Sequence, residues 1–364
     1  MIRVALFMTM NHDMTKYSGM MNLIDRLNED PDFEVHLLYK GNVPDSVMKF
    51  INNDTKFFHD KYSTSYTNGD SPYFDYIITT DPYYGPYCKG QGYNKWKGTK
   101  IIFCEYGITG LDDSVKYLFK SPIYNIADLV VTDTEMSRDE IVEASGRTGD
   151  ILIGNPVFDH KNVNGDKIVW SPHCSVYNSR LSSKILGDKR YSTFMTYKDA
   201  FMDEIPKYFS NHKLIYKLHP SLGLRIQNMN DETGTSFDLD KWIEDASKIP
   251  NVEVTDKTRG YLEVFDESDM LLNDSISFIA EYLVTGKPMV VLRDSGTSRF
   301  SDHAEKIIKS CYYSVDNLDD IKKIINVLLL TDPKKNSRME FMKKYYKPGD
   351  SNCDQIIDYM RSNV

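Results

Sequence analysis

Hydrophobic positions along the chain gather into short β-branched or aromatic runs, separated by stretches with helical spacing. Ile2 to Phe7, Glu34 to Tyr39, Tyr76 to Thr79, Lys100 to Cys104, Leu129 to Thr132 and Ile151 to Ile153 predict strands, with amphipathic helices at Tyr17 to Leu27 and Ser137 to Ala144. Uninterrupted apolar strands alternating with helices predict a parallel sheet covered on both faces. Gly154 to Gly165, rich in Pro, Asn and Gly, breaks both periods and predicts a linker. The rhythm then resumes, with strands at Lys167 to Trp170, Leu214 to Leu218, Val252 to Thr255, Met270 to Leu272, Met289 to Leu292 and Tyr312 to Val315. Helices are expected at Phe194 to Ile205, Asp240 to Ser247, Phe278 to Thr285 and Ile321 to Leu330. Two polar segments, Ser175 to Lys189 and Ser221 to Asp238, predict long surface loops, each beginning just after a strand whose end carries a histidine.

The pattern therefore predicts an α/β chain of two doubly wound, Rossmann-like domains. They occupy 1–155 and 167–335, joined by a linker at 156–166, and a C-terminal helical segment at 336–364 either closes the second domain or crosses back to the first. Such a pair places a ligand cleft at the carboxyl ends of facing sheets and suggests a nucleotide-dependent transferase.

Composition narrows this. A length of 364 residues suffices for two domains that each bury a core. Acidic side chains (53) outnumber basic ones (44), which argues against a whole-surface affinity for nucleic acid. No apolar run approaches the roughly 20 residues that span a bilayer, and Met1 to Met10 lacks the basic flank and cleavage site of a signal peptide. The 5 cysteines are scattered and form no C-x-x-C, so a disulfide framework or zinc knuckle is not expected and a reducing cytoplasm is.

The densest candidate chemistry runs from Asn273 to Pro288. An apolar strand ends at Asp274-Ser275-Ile276-Ser277, a helix opens there, and Gly286-Lys287-Pro288 stops it. Asp and Ser oxygens satisfy the first N–H groups of a helix, and the remaining ones with the positive dipole end suit a phosphate. Glu281 lies one turn beyond Ser277 on the same face, where it would accept from ribose hydroxyls; an ordinary N-cap with a solvent-facing glutamate is the alternative. Lys217-Leu218-His219-Pro220 and Trp170-Ser171-Pro172-His173-Cys174-Ser175 each bring a histidine to the end of a strand. Together His173 and His219 would neutralise a pyrophosphate or move a proton near neutral pH. No cluster with metal-ligand spacing is read at this phosphate site, and Asp274 alone is too few ligands for a magnesium cage, so no metal is expected.

Asp274, Ser277, Glu281, Lys287 and Pro288 match in order and spacing the pattern Asp-x-x-Ser-x-x-x-Glu-x-x-x-x-x-Lys-Pro of the CDP-glycerol glycerophosphotransferase family, whose members build teichoic acids and related capsule polymers. Lys217 to Pro220 resembles that family's Lys/Arg-Pro-His-Pro motif with Leu218 in place of the first proline. Trp170 to Ser175 followed by Tyr191-Ser192-Thr193-Phe194 is similar to a shorter, capsule-associated branch, and Gly154-Asn155-Pro156 adds weaker support. The resemblance covers about 120 residues of the second domain. It implies a GT-B fold and transfer of glycerol phosphate or ribitol phosphate from a CDP-activated donor to a hydroxyl of a glycan or lipid-linked polymer, with release of CMP and no further cofactor. By position, His219 would contact the donor pyrophosphate, Ser277 and the helix start its phosphate oxygens, and Glu281 the ribose.

The sequence departs from the family in the first domain. Teichoic acid polymerases carry a His-Gly-Thr-Pro motif there, and Tyr106, within Glu105-Tyr106-Gly107-Ile108-Thr109, stands where that histidine would be. A tyrosine is a poor general base at neutral pH, so Glu105 or His12 is expected to take the acceptor proton and Tyr106 to orient the acceptor. Residues 334–347 interleave Lys334, Lys335, Arg338, Lys343, Lys344 and Lys347 with Met339, Phe341, Met342, Tyr345 and Tyr346. This stretch is consistent with peripheral contact to anionic lipid on the inner face of the cell membrane, or with a solvated helix. Two other functions fit the pattern: a GT-B glycosyltransferase using a sugar nucleotide, and a non-catalytic scaffold in polymer assembly, for which the missing first-domain histidine is the motive.

Overall fold

The computed structural model describes residues 1–8, 18–39, 56–58, 74–80, 98–105, 119–159, 164–177, 190–255, 261–346 and 351–364. The chain divides into two compact units. The first holds Met1–Gly110, Lys116–His160 and Tyr345–Val364, and the second holds Lys161–Lys344 with Leu111–Val115.

In the first unit β1 (Ile2–Met8), β2 (Phe33–Tyr39), β3 (Lys56–Phe58), β4 (Tyr76–Thr79), β5 (Lys100–Cys104), β6 (Leu129–Thr132) and β7 (Asp150–Ile153) form a parallel sheet in the order β3-β2-β1-β4-β5-β6-β7. Alternate residues serve opposite faces. Ile102, Cys104, Leu129 and Val131 join one core and Ile101, Phe103 and Val130 another, so both faces are covered. In the second unit β8 (Lys167–Ser171), β9 (Lys213–Tyr216), β10 (Val252–Val254), β11 (Ser268–Asn273), β12 (Met289–Leu292) and β13 (Tyr313–Val315) are parallel in the order β10-β9-β8-β11-β12-β13. In each sheet the first strand lies beside the fourth, and this reversal of winding is where open α/β sheets bind ligands, outside the strands' carboxyl ends. In the second unit the switch falls between β8 and β11, with Leu272 opposite Trp170 and Asn273 opposite Ser171.

Twelve of the strands were expected from the sequence; β3, only three residues long, carries too little pattern to be read. Two expectations are corrected. Ser221 to Asp238 is not a loop, because it contains a helix, Leu222–Thr233, that buries Leu222, Ile226 and Met229 and ends at Gly234 with φ 72°. Its apolar positions are sparse, but their spacing of four and three residues is helical. Phe194 to Ile205 is two helices, Phe194–Met202 and Glu204–Tyr208, since Pro206 has no N–H with which to continue the first.

The basic and aromatic C-terminal stretch is largely turned inward. In the helix Lys335–Tyr345, Arg338 is wholly buried, paired with Asp332 and donating to the carbonyls of Gly286 (2.9 Å) and Cys311 (3.0 Å). Phe341, Met342 and Tyr346 are buried too, and Lys334 Nζ donates to the carbonyls of Lys309 and Tyr312, which leaves Lys335, Lys343 and Lys344 on the surface. Lys347 lies outside the described residues. Of the apolar half of the pattern that suggested lipid contact, Phe341, Met342 and Tyr346 thus pack against protein, while Met339 is exposed. Among the described residues no helix is long and apolar enough to cross a membrane.

The last helix, Asn352–Ser362, belongs to the first unit, where Cys353, Ile356, Ile357 and Met360 enter the same core as Val4, Leu23, Ile102 and Val131. Asp159 fixes its start, accepting from Ser351 Oγ (2.9 Å) and from the N–H groups of Asn352 (2.7 Å) and Cys353 (2.7 Å). Ile356→Ala should therefore destabilise the first unit by about 2–5 kcal/mol, the range for deleting a buried aliphatic side chain. Leu330→Ala, at a position 84% exposed, should change stability by less than about 0.5 kcal/mol. Urea unfolding of both variants checks this, and equal midpoints would contradict the packing.

Candidate site at the switch point of the second sheet

The strands that carry the site are held by an aromatic core. On one face of the sheet Ile168 and Trp170 of β8, Leu214 and Tyr216 of β9, and Met270 and Leu272 of β11 lie in one cluster. Trp170 stacks on Phe201 with ring centroids 3.8 Å apart and meets Tyr216 edge-on at 5.3 Å. The three strands therefore end level. Lys217 N–H donates to the Trp170 carbonyl (2.8 Å) and Ser171 Oγ to the Lys217 carbonyl (3.0 Å), and the next residues of β8 and β9 are the histidine-bearing turns.

Asp274, the first residue after β11, ties the turn after β8 to Thr193 at the start of the helix Phe194–Met202. Its carboxylate accepts from His173 N–H (2.5 Å), Thr193 N–H (2.5 Å) and Thr193 Oγ1 (2.7 Å). Burial pushes its pKa up to about 7, although the bonds from Thr193 and His173 pull the other way. Asp274 and Ser275 were expected to cap the following helix with their oxygens, and this is corrected. At 1% exposure Asp274 must find donors, and it finds them on the neighbouring loop. Ser275 makes no side-chain cap bond. Asn273 shapes the turn instead, its Oδ1 accepting from Ser275 N–H (3.0 Å) and its Nδ2 donating to the Ser275 carbonyl (2.7 Å). The helix that follows, Ile276–Glu281, is six residues long and tightens into a 3₁₀ turn, Tyr282–Thr285.

Ser277 is half-buried at the start of that helix. Glu281 is buried rather than solvent-facing; burial raises its pKa to about 7, against a hydrogen bond from Tyr261. Lys287 has a structural task, since its Nζ donates to the carbonyls of Phe265 (2.8 Å) and Asp266 (2.9 Å) at the end of the helix Tyr261–Glu267. Its ammonium is pushed down to about 8 by burial.

His173 and His219 come together, with ring centroids 5.4 Å apart. His219 Nδ1 accepts from Ser221 N–H (3.0 Å), and His173 Nδ1 lies 3.2 Å from Ser175 N–H and 2.7 Å from Ser175 Oγ. A ring nitrogen that accepts from a backbone N–H carries no proton, so each neutral ring holds its proton on Nε2. Burial, with the guanidinium of Arg225 nearby, pushes the His173 pKa down to about 4, which makes this ring neutral at physiological pH. Arg225 was not read from the sequence as a site residue, because it sits on the helix taken for a loop.

The expectation that no metal-ligating cluster lies here is also corrected. His173, Cys174 and His219 bring one candidate ligand atom each to within 4.8 Å of one another. Sequence spacing does not reveal them, since they come from two strand ends 46 positions apart. As held, the rings present N–H groups at Nε2, which suits the oxygens of an anion.

In the first unit Glu105 follows β5 and is buried. Its carboxyl accepts from Tyr124 Oη (2.7 Å) and from Thr132 Oγ1, and its carbonyl from Asn155 Nδ2 (3.1 Å). Burial, and then the nearby Asp133, push its pKa up to about 8. This bears on the expectation that Glu105 takes the acceptor proton, since a carboxyl raised so far favours its protonated form at pH 7. His12 and Tyr106 lie outside the described residues.

The raised value has a sign. Between the unfolded value, near 4.5, and about 8 the native state holds a proton that the unfolded chain loses, so stability from this group is lost as pH rises. Glu105→Gln should flatten that fall, matching wild type at pH 5 and exceeding it at pH 9 in urea unfolding. A variant weaker than wild type at pH 9 would contradict the assignment.

Neither a protein-family model nor a curated protein sequence matches the chain. Solved structures do. A structure of the wall teichoic acid polymerase TagF, variant H548A, superposes with a TM-score of 0.61 at 13% identity, covering 99% of this chain and 88% of that one. The UDP-GlcNAc 2-epimerase from Neisseria meningitidis bound to UDP-GlcNAc superposes at 0.59 and 12% identity over 100% of both chains. The S. aureus MnaA–UDP co-structure gives 0.57 at 13% identity, over 100% of this chain and 98% of that one. At these identities the likeness is one of architecture: the chain has the GT-B fold, built of two Rossmann-like domains.

Proposed function

We propose that the chain transfers a polyol phosphate from a CDP-activated donor to a hydroxyl acceptor and releases CMP. The observation that carries this is the pair of strand-end histidines, 5.4 Å apart, each fixed with its proton on Nε2 at the switch point of the second sheet. Two N–H donors beside Arg225 suit the oxygens of a pyrophosphate. The motif Asp274, Ser277, Glu281, Lys287 and Pro288 and the likeness to TagF favour CDP-glycerol or CDP-ribitol as the donor.

In the reaction the acceptor hydroxyl oxygen attacks the phosphorus that bears the polyol. The bond from that phosphorus to the bridging oxygen breaks, CMP leaves with that oxygen, and the hydroxyl proton passes to a base. Catalysis of this kind is mainly positioning plus stabilisation of charge on phosphate oxygens, which the N–H donors of His173 and His219 supply. Of the two bases expected from the sequence, Glu105 holds its own proton at neutral pH, which leaves His12. Acceptor identity, glycan or lipid-linked polymer, and contact with a membrane surface belong to this reading as expectations.

A second reading is a GT-B enzyme acting on a UDP-sugar, favoured by the end-to-end coverage of the UDP-GlcNAc 2-epimerase structures. Incubation with CDP-glycerol, CDP-ribitol and UDP-GlcNAc separates them: CMP release supports the proposal, and conversion of UDP-GlcNAc alone supports the second. Binding of acceptor with no turnover of any donor would favour the scaffold. His219→Ala should weaken CDP binding by roughly tenfold or more, the effect of one hydrogen bond to a charged group of about 1.5–3 kcal/mol. Calorimetry measures it, and unchanged affinity would remove His219 from the donor site.

A further inference from the structure

We propose that Ser175 is a positioning residue that holds His173 in the Nε2–H form, so that the second sheet's edge presents a standing N–H donor to the donor's phosphate. The assignment rests on the nucleotide reading above for its ligand, but its geometry is independent of it. Ser175 Oγ accepts from Tyr191 N–H at 3.0 Å. That bond occupies a lone pair and leaves the hydroxyl proton free to point at His173 Nδ1, 2.7 Å away. The backbone N–H of Ser175 approaches the same nitrogen at 3.2 Å. A proton on Nδ1 would face that N–H head-on, so the hydroxyl must be the donor and Nδ1 the acceptor. The chain Tyr191 N–H to Ser175 Oγ–H to Nδ1 therefore leaves the ring proton on Nε2.

The rest of the ring's setting is fixed from the other side. His173 N–H is held by Asp274, which also binds Thr193 two residues beyond Tyr191. One carboxylate and one hydroxyl thus join the loop after β8 to the start of the helix Phe194–Met202. Asp274 sets where the histidine backbone lies and Ser175 sets which nitrogen of its ring is protonated. His219 Nδ1 likewise accepts from a backbone N–H, that of Ser221, and at His173 the Ser175 hydroxyl bonds the same ring nitrogen that the Ser175 backbone N–H does. Ser175 is the part of the arrangement open to substitution, and its place two residues after His173 is a sequence feature that acquires meaning only with Tyr191 in position.

The test uses the full chain with ¹⁵N-labelled histidine, the His173 resonances being assigned with His173→Gln. In ligand-free wild type, Nδ1 should resonate as a bare, hydrogen-bonded nitrogen and Nε2 as a protonated one. Ser175→Ala, which keeps the backbone N–H but removes the hydroxyl, should shift Nδ1 towards the unbonded value. It should also weaken CDP binding by roughly three- to tenfold, as expected for the loss of one neutral hydrogen bond. Ser175→Thr, which keeps the hydroxyl, should restore both. An Nδ1 resonance in Ser175→Ala identical to wild type, or CDP affinity unchanged in that variant, would overturn the proposal. Because the spectra are read without ligand, they decide the tautomer even where wild type fails to bind CDP, a result that would count against the nucleotide reading alone.

Discussion

A carboxylate at 1% exposure between two loops carries a desolvation cost of several kcal/mol unless donors surround it, and at Asp274 three do. The balance is close, as the rise of its pKa to about 7 indicates. What the bonds secure is the relation between parts of the chain a hundred residues apart: the end of β11, the turn after β8, and the start of the helix Phe194–Met202. Without Asp274 the His173 backbone has no fixed place, Thr193 loses its partner, and the Tyr191 N–H that holds Ser175 is no longer set.

The resulting edge is nearly devoid of mobile charge. His173 is neutral, both histidines take their tautomers from hydrogen bonds, and Arg225 provides a fixed cation on the adjacent helix. An anion recognised by oriented N–H dipoles does not require a side chain to ionise first, and oriented dipoles lose little in reorganisation when charge develops on a bound phosphate. Two of the buried acids, Glu105 and Glu281, are likewise held near or above neutrality by burial and accept from hydroxyl groups. The chemistry of such a site lies in placement more than in charge.

The strands were legible because each is a short apolar run bounded by polar or turn residues; β4, β5, β6 and β12 begin and end where the pattern does. The pairing of His173 with His219 was also legible, since both follow strand ends and adjacent parallel strands end on one edge. The helix Leu222–Thr233 was not, because four apolar side chains in twelve residues, one of them the exposed Leu224, do not stand out against Asn, Gln, Asp and Thr. Nor were the partners of Asp274 and Glu105. A carboxylate's role is set by the donors around it, and Thr193, Tyr124 and Thr132 reach it from other elements, at separations that no local spacing encodes. The same holds for Lys287, whose ammonium donates to the carbonyls of Phe265 and Asp266 more than twenty positions away.

The route of the chain imposes an order on synthesis. The second unit is one nearly continuous segment, but the first completes its core with Cys353, Ile356, Ile357 and Met360, which are made after that segment. At roughly 5–20 residues per second, translation of Lys161–Lys344 occupies on the order of ten to forty seconds. Throughout that interval the face of the first sheet that carries Ile102 and Val131 lacks one of its covering helices. The first unit therefore closes only after the second sheet, with its histidine edge, has been made.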